Sequence, residues 1–268
     1  MTMDGPMEQP GLDHALALAR EAIAAAPAGL LTDLDGTLAP IVPDPDSVRA
    51  LPGAAAALAD LGSRLELVAI ISGRAAGDVR RIIGSDEVMV VGNHGLEWLE
   101  PGARAPTPTP ELEAAGAAIR AALAAVPDEP GVRAEDKGLS ATIHFRNAPD
   151  PDEAAGRVRL ALEAAGLDGI TLRAGRMSLE LRPADAGDKG TAVRALVERH
   201  ALRGLIVIGD DVTDLDMFRA ASELRAAGRL RAAILAVAGG REVPPEVQAA
   251  ADAQLRDPAA VVQLLRAL

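Results

Sequence analysis

Four short apolar runs stop abruptly at polar, glycine-containing loops, and this repeated ending constrains the chain more than any other feature. They are Gly29-Leu30-Leu31-Thr32 before Asp33-Leu34-Asp35-Gly36-Thr37, Leu65–Ile71 before Ser72-Gly73-Arg74, Val88–Val91 before Gly92-Asn93-His94-Gly95, and Leu205–Ile208 before Gly209-Asp210-Asp211. A short run with no polar alternation offers no face to water, so it belongs inside a sheet covered on both sides. Amphipathic stretches lie between the runs, at Asp13–Ala26, Leu51–Leu61, Asp78–Ile83, Lys189–His200 and Asp214–Ala227. A last strand, Ala232–Val237, and a closing helix, Pro258–Leu268, extend the series. Strand, loop, helix, strand is the order that parallel crossovers produce, and it predicts an α/β fold built on a parallel sheet.

That order is interrupted once. Prolines crowd the segment 101–110, which reads as a linker. Beyond it a helix (Glu111–Ala125) precedes two strand-like runs, Val132–Glu135 and Leu139–Phe145. A second helix (Asp152–Ala165) precedes two more, Ile170–Arg173 and Met177–Leu181. A helix-strand-strand unit used twice predicts two helices on a small antiparallel sheet, an inserted α+β module. The expected boundaries are 1–101 and 183–268 for a discontinuous core and 102–182 for the insert.

Composition removes several function classes. The formal net charge of −12 repels nucleic-acid backbones, and an aromatic share of 1% leaves no stacking platform for bases or sugar rings. With no Cys, disulfides, thiolate nucleophiles and Cys-ligated zinc are excluded. The histidines at 14, 94, 144 and 200 form no His-x₃-His pair, so no zinc site is expected. The first residues carry neither a basic region nor an apolar run, and no stretch is long and apolar enough to span a bilayer, so the cytoplasm is the expected location.

Ligands of parallel sheets sit outside the carboxyl ends of the strands, where these loops lie. Read singly, each loop has a plain alternative. Asp33 and Asp35 fit a solvated acidic turn, Ser72 a strand-end turn, and Lys189 a lysine in the first turn of a helix. His94 fits either a wall of the site or a structural hydrogen-bonding role. Two acidic clusters at two strand ends change the reading, because converging carboxylates repel unless a hard cation lies between them. Mg²⁺ is the natural choice, since it takes a few carboxylate oxygens and keeps positions for water and substrate.

The segments Asp33-Leu34-Asp35-Gly36-Thr37, Ser72, Lys189 and Gly209-Asp210-Asp211-Val212-Thr213-Asp214 together resemble the four motifs of the haloacid-dehalogenase superfamily of phosphotransferases. The resemblance implies a Rossmannoid core with an inserted α+β cap. It also implies a nucleophile at Asp33, a general acid and base at Asp35, and phosphoryl oxygens held by Ser72 and Lys189. Mg²⁺ would be held by Asp33, the main-chain carbonyl of Asp35 and Asp210, with Asp214 orienting the metal or its waters.

Further segments tighten the resemblance to the trehalose-6-phosphate phosphatases: Ile71-Ser72-Gly73-Arg74, Gly92-Asn93-His94-Gly95-Leu96-Glu97, Glu135-Asp136-Lys137, His144-Phe145-Arg146 and Leu179-Glu180-Leu181-Arg182-Pro183. It implies substrate contacts at Gly73, Arg74, His94, Glu135, Lys137, Arg146 and Glu180, with Glu135, Lys137 and Glu180 on sugar hydroxyls. A surface ion pair is the plain alternative for Glu135 and Lys137. Two departures stand out: Leu215 replaces an acid usual in the fourth motif, and Asn93 occupies a variable position. The expected partner is a small-molecule sugar phosphate, met by a monomer, with no nucleic acid and no membrane. Other readings stay open: a phosphatase of mannosyl- or glucosyl-3-phosphoglycerate or of sucrose phosphate, with Arg133, Arg146, Arg173 and Arg176 as extra cations, or a non-catalytic sugar-phosphate sensor.

Overall fold

The computed structural model describes residues 10–106, 110–184, 187–238 and 244–268, so residues 107–109 of the expected linker lie outside the described residues. In chain order the first part holds α1 (Pro10–Ile23), β1 (Ala28–Thr32), α2 (Ala54–Gly62), β2 (Leu67–Ile71), α3 (Ala76–Ile83), β3 (Met89–Gly92) and β4 (Glu97–Leu99). An inserted module follows: α4 (Pro110–Leu123), β5 (Arg133–Asp136), β6 (Ala141–His144), α5 (Pro151–Ala165), β7 (Ile170–Gly175) and β8 (Ser178–Pro183). The chain then continues through α6 (Lys189–Arg199), β9 (Gly204–Gly209), α7 (Leu215–Ala226), β10 (Arg231–Val237), α8 (Pro245–Ala250), β11 (Ala253–Leu255) and α9 (Pro258–Ala267).

The larger sheet runs β11-β10-β9-β1-β2-β3-β4, parallel throughout except for the edge strand β4. Every residue of β1, β2 and β9 is buried, as uninterrupted apolar runs require. Successive side chains of a strand point to opposite faces, so each central strand feeds two cores. Leu30, Ile206 and Ile208 pack with α1, α2 and α9, whereas Leu31, Leu205 and Val207 pack with α6 and α7. Burying each such side chain contributes roughly 1.5–3 kcal/mol. This two-sided burial fixes β1 and β9 side by side, and with them the loops that leave their carboxyl ends.

The smaller sheet is antiparallel in the order β5-β6-β8-β7. Its register aligns Glu135, Thr142, Glu180 and Arg173 in one row across all four strands. The alternate positions Ile143, Leu179 and Leu181 pack with Ile119 of α4 and with Val158 and Leu162 of α5. Because the pleat alternates, the Glu135 row must face away from those helices. Among the described residues no helix is long and apolar enough to cross a membrane.

Several details depart from the expected elements, among them α1, which runs Pro10–Ile23 rather than Asp13–Ala26, and α2, which starts at Ala54 rather than Leu51. β4, α8 and β11 were not foreseen, since three to six residues carry too little periodicity to register. The helix expected from Asp214 starts at Leu215, because residues Val212–Asp214 form a one-turn 3₁₀ helix capped by Asp211. β6 is shorter than the expected strand at both ends, and α3 begins earlier, at Ala76.

Candidate active site

The amide of Asp33 donates to the Ile208 carbonyl at 2.9 Å, which carries the β1–β9 pairing past the end of the strand. Asp33 therefore lies beside the loop bearing Asp210. Lys189 opens α6 behind an Asp188–Thr191 capping box, and its side chain is only 3% exposed. Its Nζ donates to Asp33 Oδ1 at 2.7 Å and to Asp214 Oδ1 at 2.6 Å. The second oxygen of Asp214 accepts from the amides of Asp210 (2.9 Å) and Asp211 (3.2 Å), so Asp214 shapes the loop that presents Asp210. Thr37 Oγ1 donates to Asp210 Oδ1 at 3.3 Å.

Carboxylate oxygens of Asp33, Asp210 and Asp214 lie within 4.8 Å of one another, all three residues buried. Gly36 permits this approach: its φ is +83°, and a Cβ there would run into the Asp210 carboxylate. Burial pushes Asp33 up to about 7, although Lys189 works against it. Burial, with Asp33, Asp214 and Asp211 adding repulsion, pushes Asp210 up to about 8. Burial alone would lower Lys189, but Asp214 and Asp33 hold it above the ordinary lysine range. One lysine does not neutralise this group. The donors are hard oxygens only, with no His or Cys among them, and they fit a hard divalent cation.

Asp35 points into the same space from a more exposed position, its side chain 34% exposed. Arg74 grips it as a fork, Nε to Oδ2 at 2.7 Å and Nη2 to Oδ1 at 2.8 Å. Ser72 is buried at the end of β2, and its Oγ accepts from the Arg74 amide at 3.2 Å. Between them, Gly73 makes room for a ring: a Cβ there would lie 2.6 Å from His94 Nε2. His94 itself has φ +56° and is pushed down to about 2, by burial first and then by Lys189, Arg182, Lys137 and Arg173. It is therefore neutral, and its 3.6 Å approach to Glu180 Oε1 is not an ion pair.

A cavity of about 490 Å³ brings together Asp33, Asp35, Ser72, Gly73, Arg74, His94 and Lys189 from the core with Glu135 and Lys137 from the insert. Asp210 and Asp214 join through the acidic group without lining it, and Glu180 reaches it by way of His94. Arg146 is exposed beyond the end of β6 and does not line the cavity. The Glu135–Lys137 ion pair, the plain alternative, does not form; Glu135 instead meets His144 Nε2 at 3.1 Å, which holds its carboxyl below the usual range. Asp136, Asp211 and Thr213 also line the space, and sequence reading did not single them out. Their signal was adjacency to motif residues. A larger cavity of about 740 Å³, lined by Trp98, Ala115, Ala192 and neighbours, is mainly apolar; Asp168 and Asp188 line it, but among the described residues no Lys, Arg or His does, so its size does not make it the site.

A family model described as trehalose-phosphatase matches residues 31–248. The trehalose-phosphate phosphatase of Mycolicibacterium paratuberculosis is 35% identical over 232 residues, 82% of this chain and 58% of that protein. The trehalose-phosphate phosphatase of Mycobacterium marinum is 37% identical over 200 residues, 70% of this chain and 50% of that one. The chain thus spans about half the length of the curated relatives it matches. Among solved structures, the C-terminal domain of a trehalose-6-phosphate phosphatase from C. albicans superposes with a TM-score of 0.70 at 22% identity, covering 98% of each chain. The C-terminal domain of a trehalose synthase regulatory protein from Candida albicans gives 0.67 at 11% identity, covering 94% of this chain and 97% of that one. These two likenesses concern the fold.

Proposed function

The chain belongs to the trehalose-phosphatase family, and from that premise we propose that it hydrolyses a small sugar phosphate, trehalose 6-phosphate foremost, with Mg²⁺ and through an aspartyl phosphate on Asp33. The observation that carries this reading is the division of labour between two carboxylates. Asp33 is buried in the acidic group beside Lys189, whereas Asp35, two residues on, enters the same cavity outside that group. A nucleophile must approach phosphorus beside cations, and a proton carrier must reach the leaving oxygen without occupying the metal site.

Asp33 and Asp210, with the main-chain carbonyl of Asp35, would hold Mg²⁺, whose charge offsets repulsion between carboxylate and phosphate dianion. The rest of the work falls to the chain. Lys189 stays charged because two carboxylates flank it, and it supplies a fixed cation to the phosphoryl oxygens. Arg74 occupies both oxygens of Asp35, so proton delivery requires that the fork turn to another anion. The incoming phosphate is that anion. Asp35 then protonates the leaving sugar oxygen, and later takes a proton from the water that attacks the acyl phosphate. Glu135, Lys137 and Glu180 read sugar hydroxyls, and neutral His94 forms the wall between them and Ser72.

A substrate panel tests this reading. Inorganic phosphate release should be fastest, by kcat/KM, on trehalose 6-phosphate compared with sucrose phosphate and the glucosyl- and mannosyl-3-phosphoglycerates. A preference of about tenfold or more for another member would move the specificity. No release from any of them would favour the sensor reading.

Metal binding should depend on pH in a defined direction. Raised carboxyl groups hold protons in the native state that the unfolded chain has already lost. For Asp33 and Asp210 the window runs from the ordinary 3.8 to about 7 and about 8. Stability of the metal-free protein should therefore fall as pH rises through that window. Mg²⁺ must displace those protons, so its stabilising shift in Tm should be small near pH 5.5 and largest near pH 8. Thermal scans with and without MgCl₂ check this, and an equal shift at both pH values would contradict it.

A further inference from the structure

Asn93, which looked like a variable position in the sequence, is fully buried and has a φ of +48°. Asn tolerates this left-handed region better than most residues with a side chain, because its short polar group bonds locally. Here the group bonds across a junction instead. Asn93 Nδ2 donates to Glu97 Oε1 at 2.7 Å and to the main-chain carbonyl of Lys137 at 3.0 Å. Its Oδ1 accepts from Ser140 Oγ at 2.9 Å. Glu97 belongs to the core, and its other oxygen accepts from the Ala76 amide at 2.6 Å, at the start of α3. The Asn93 amide donates to the Arg74 carbonyl at 2.8 Å.

Lys137 and Ser140 lie in the β5–β6 turn of the insert, tied to each other by the Lys137 amide and the Ser140 carbonyl at 2.9 Å. Thus a single side chain clasps the backbone that presents Lys137, while its own backbone clasps the loop that presents Arg74. Both of those side chains line the cavity that holds Asp33. No atom of this network belongs to the proposed chemistry. The contacts use a main-chain carbonyl and a hydroxyl, so they act whatever the sugar.

We propose that Asn93 is a positioning residue that latches the inserted module onto the catalytic loops and sets Lys137 over the sugar side of the cavity. When the module lifts, water replaces these partners. The closed form gains only the surplus of protein over water hydrogen bonds, so loss of one bond shifts the closed population by about tenfold. The inference rests on the phosphatase reading, because it assigns the latch to substrate capture.

Asn93→Gly removes the carboxamide while keeping the positive φ unstrained, and Ser140→Ala removes the partner hydroxyl from the insert. KM for the sugar phosphate should rise about tenfold in Ser140→Ala and by more in Asn93→Gly, which loses two bonds to the insert, while kcat on p-nitrophenyl phosphate, which needs no cap contact, stays within about twofold. The double variant should be no worse than Asn93→Gly, since both substitutions cut the same contact. Amide hydrogen exchange at residues 137–140 should quicken in both variants without substrate present. Unchanged KM and exchange, or equal losses on both substrates, would overturn the latch. Additive losses in the double variant would do the same. A wild-type protein that releases no phosphate, yet shows the faster exchange in both variants, would keep the contact and sink the functional reading and its role in substrate capture.

Discussion

Replacing Asp33 by Asn is expected to cut phosphate release by about 10⁴-fold or more, since an amide cannot form the acyl phosphate. The folded protein should survive. Asp33 is held at the end of β1 by its backbone bond to Ile208, which the substitution leaves in place. Its carboxyl is pushed up to about 7 by burial, so the ionised form is the costly one in the metal-free protein. Above that pH, metal-free Asp33→Asn should be at least as stable as the wild type, in line with the general tension between a charged site and a stable fold. The Mg²⁺-induced rise in Tm should shrink, because a donor is lost. Asp35→Asn provides the contrast. Turnover should fall steeply, but the metal-induced shift should persist, because the donor proposed there is a main-chain carbonyl. Phosphate assays and thermal scans on the two variants separate the roles; a metal shift lost in Asp35→Asn and kept in Asp33→Asn would reverse the assignment.

Lys189→Met should be the most damaging substitution for the metal-free fold. Lys189 bonds both Asp33 and Asp214, and all three side chains are nearly inaccessible, at 3%, 7% and 1%. Removing one partner of a buried pair leaves the other charge desolvated without compensation, a loss of about 3–5 kcal/mol. The damage spreads through Asp214, whose other oxygen shapes the Asp210 loop. Catalysis should drop by at least about 10²-fold, since a fixed cation at the phosphoryl group is gone. Mg²⁺ should recover part of the stability by supplying positive charge to the same acids. Denaturant titrations with and without Mg²⁺ measure both effects, and a loss below about 1 kcal/mol would show that Lys189 is not the counter-charge of this group.

How much was legible in advance can be judged from particular residues. β1 and β9 were readable because wholly buried strands leave no alternation, and that pattern is local. Asp33, Asp210, Asp214 and Lys189 were readable because each lies in a motif at the end of such an element, and the sheet order then brings them together. β4 was not readable: three residues are too few, and its reversal depends on positive φ values at Asn93 and His94. The Arg74 fork on Asp35 was equally hidden, because both residues were expected to face the substrate rather than each other.

Sequence alone settled the α/β class and the interrupted order of elements, and it picked out the acids that the fold brings together, since burial pattern and motif spacing are properties of neighbouring residues. The packed molecule decided that His94 is neutral, that Arg146 stands outside the cavity, and that Asn93 binds both core and insert. Those outcomes depend on desolvation and on partners 4 to 47 residues away along the chain, some on another element. Such distances come into being only when two sheets and their loops settle against one another.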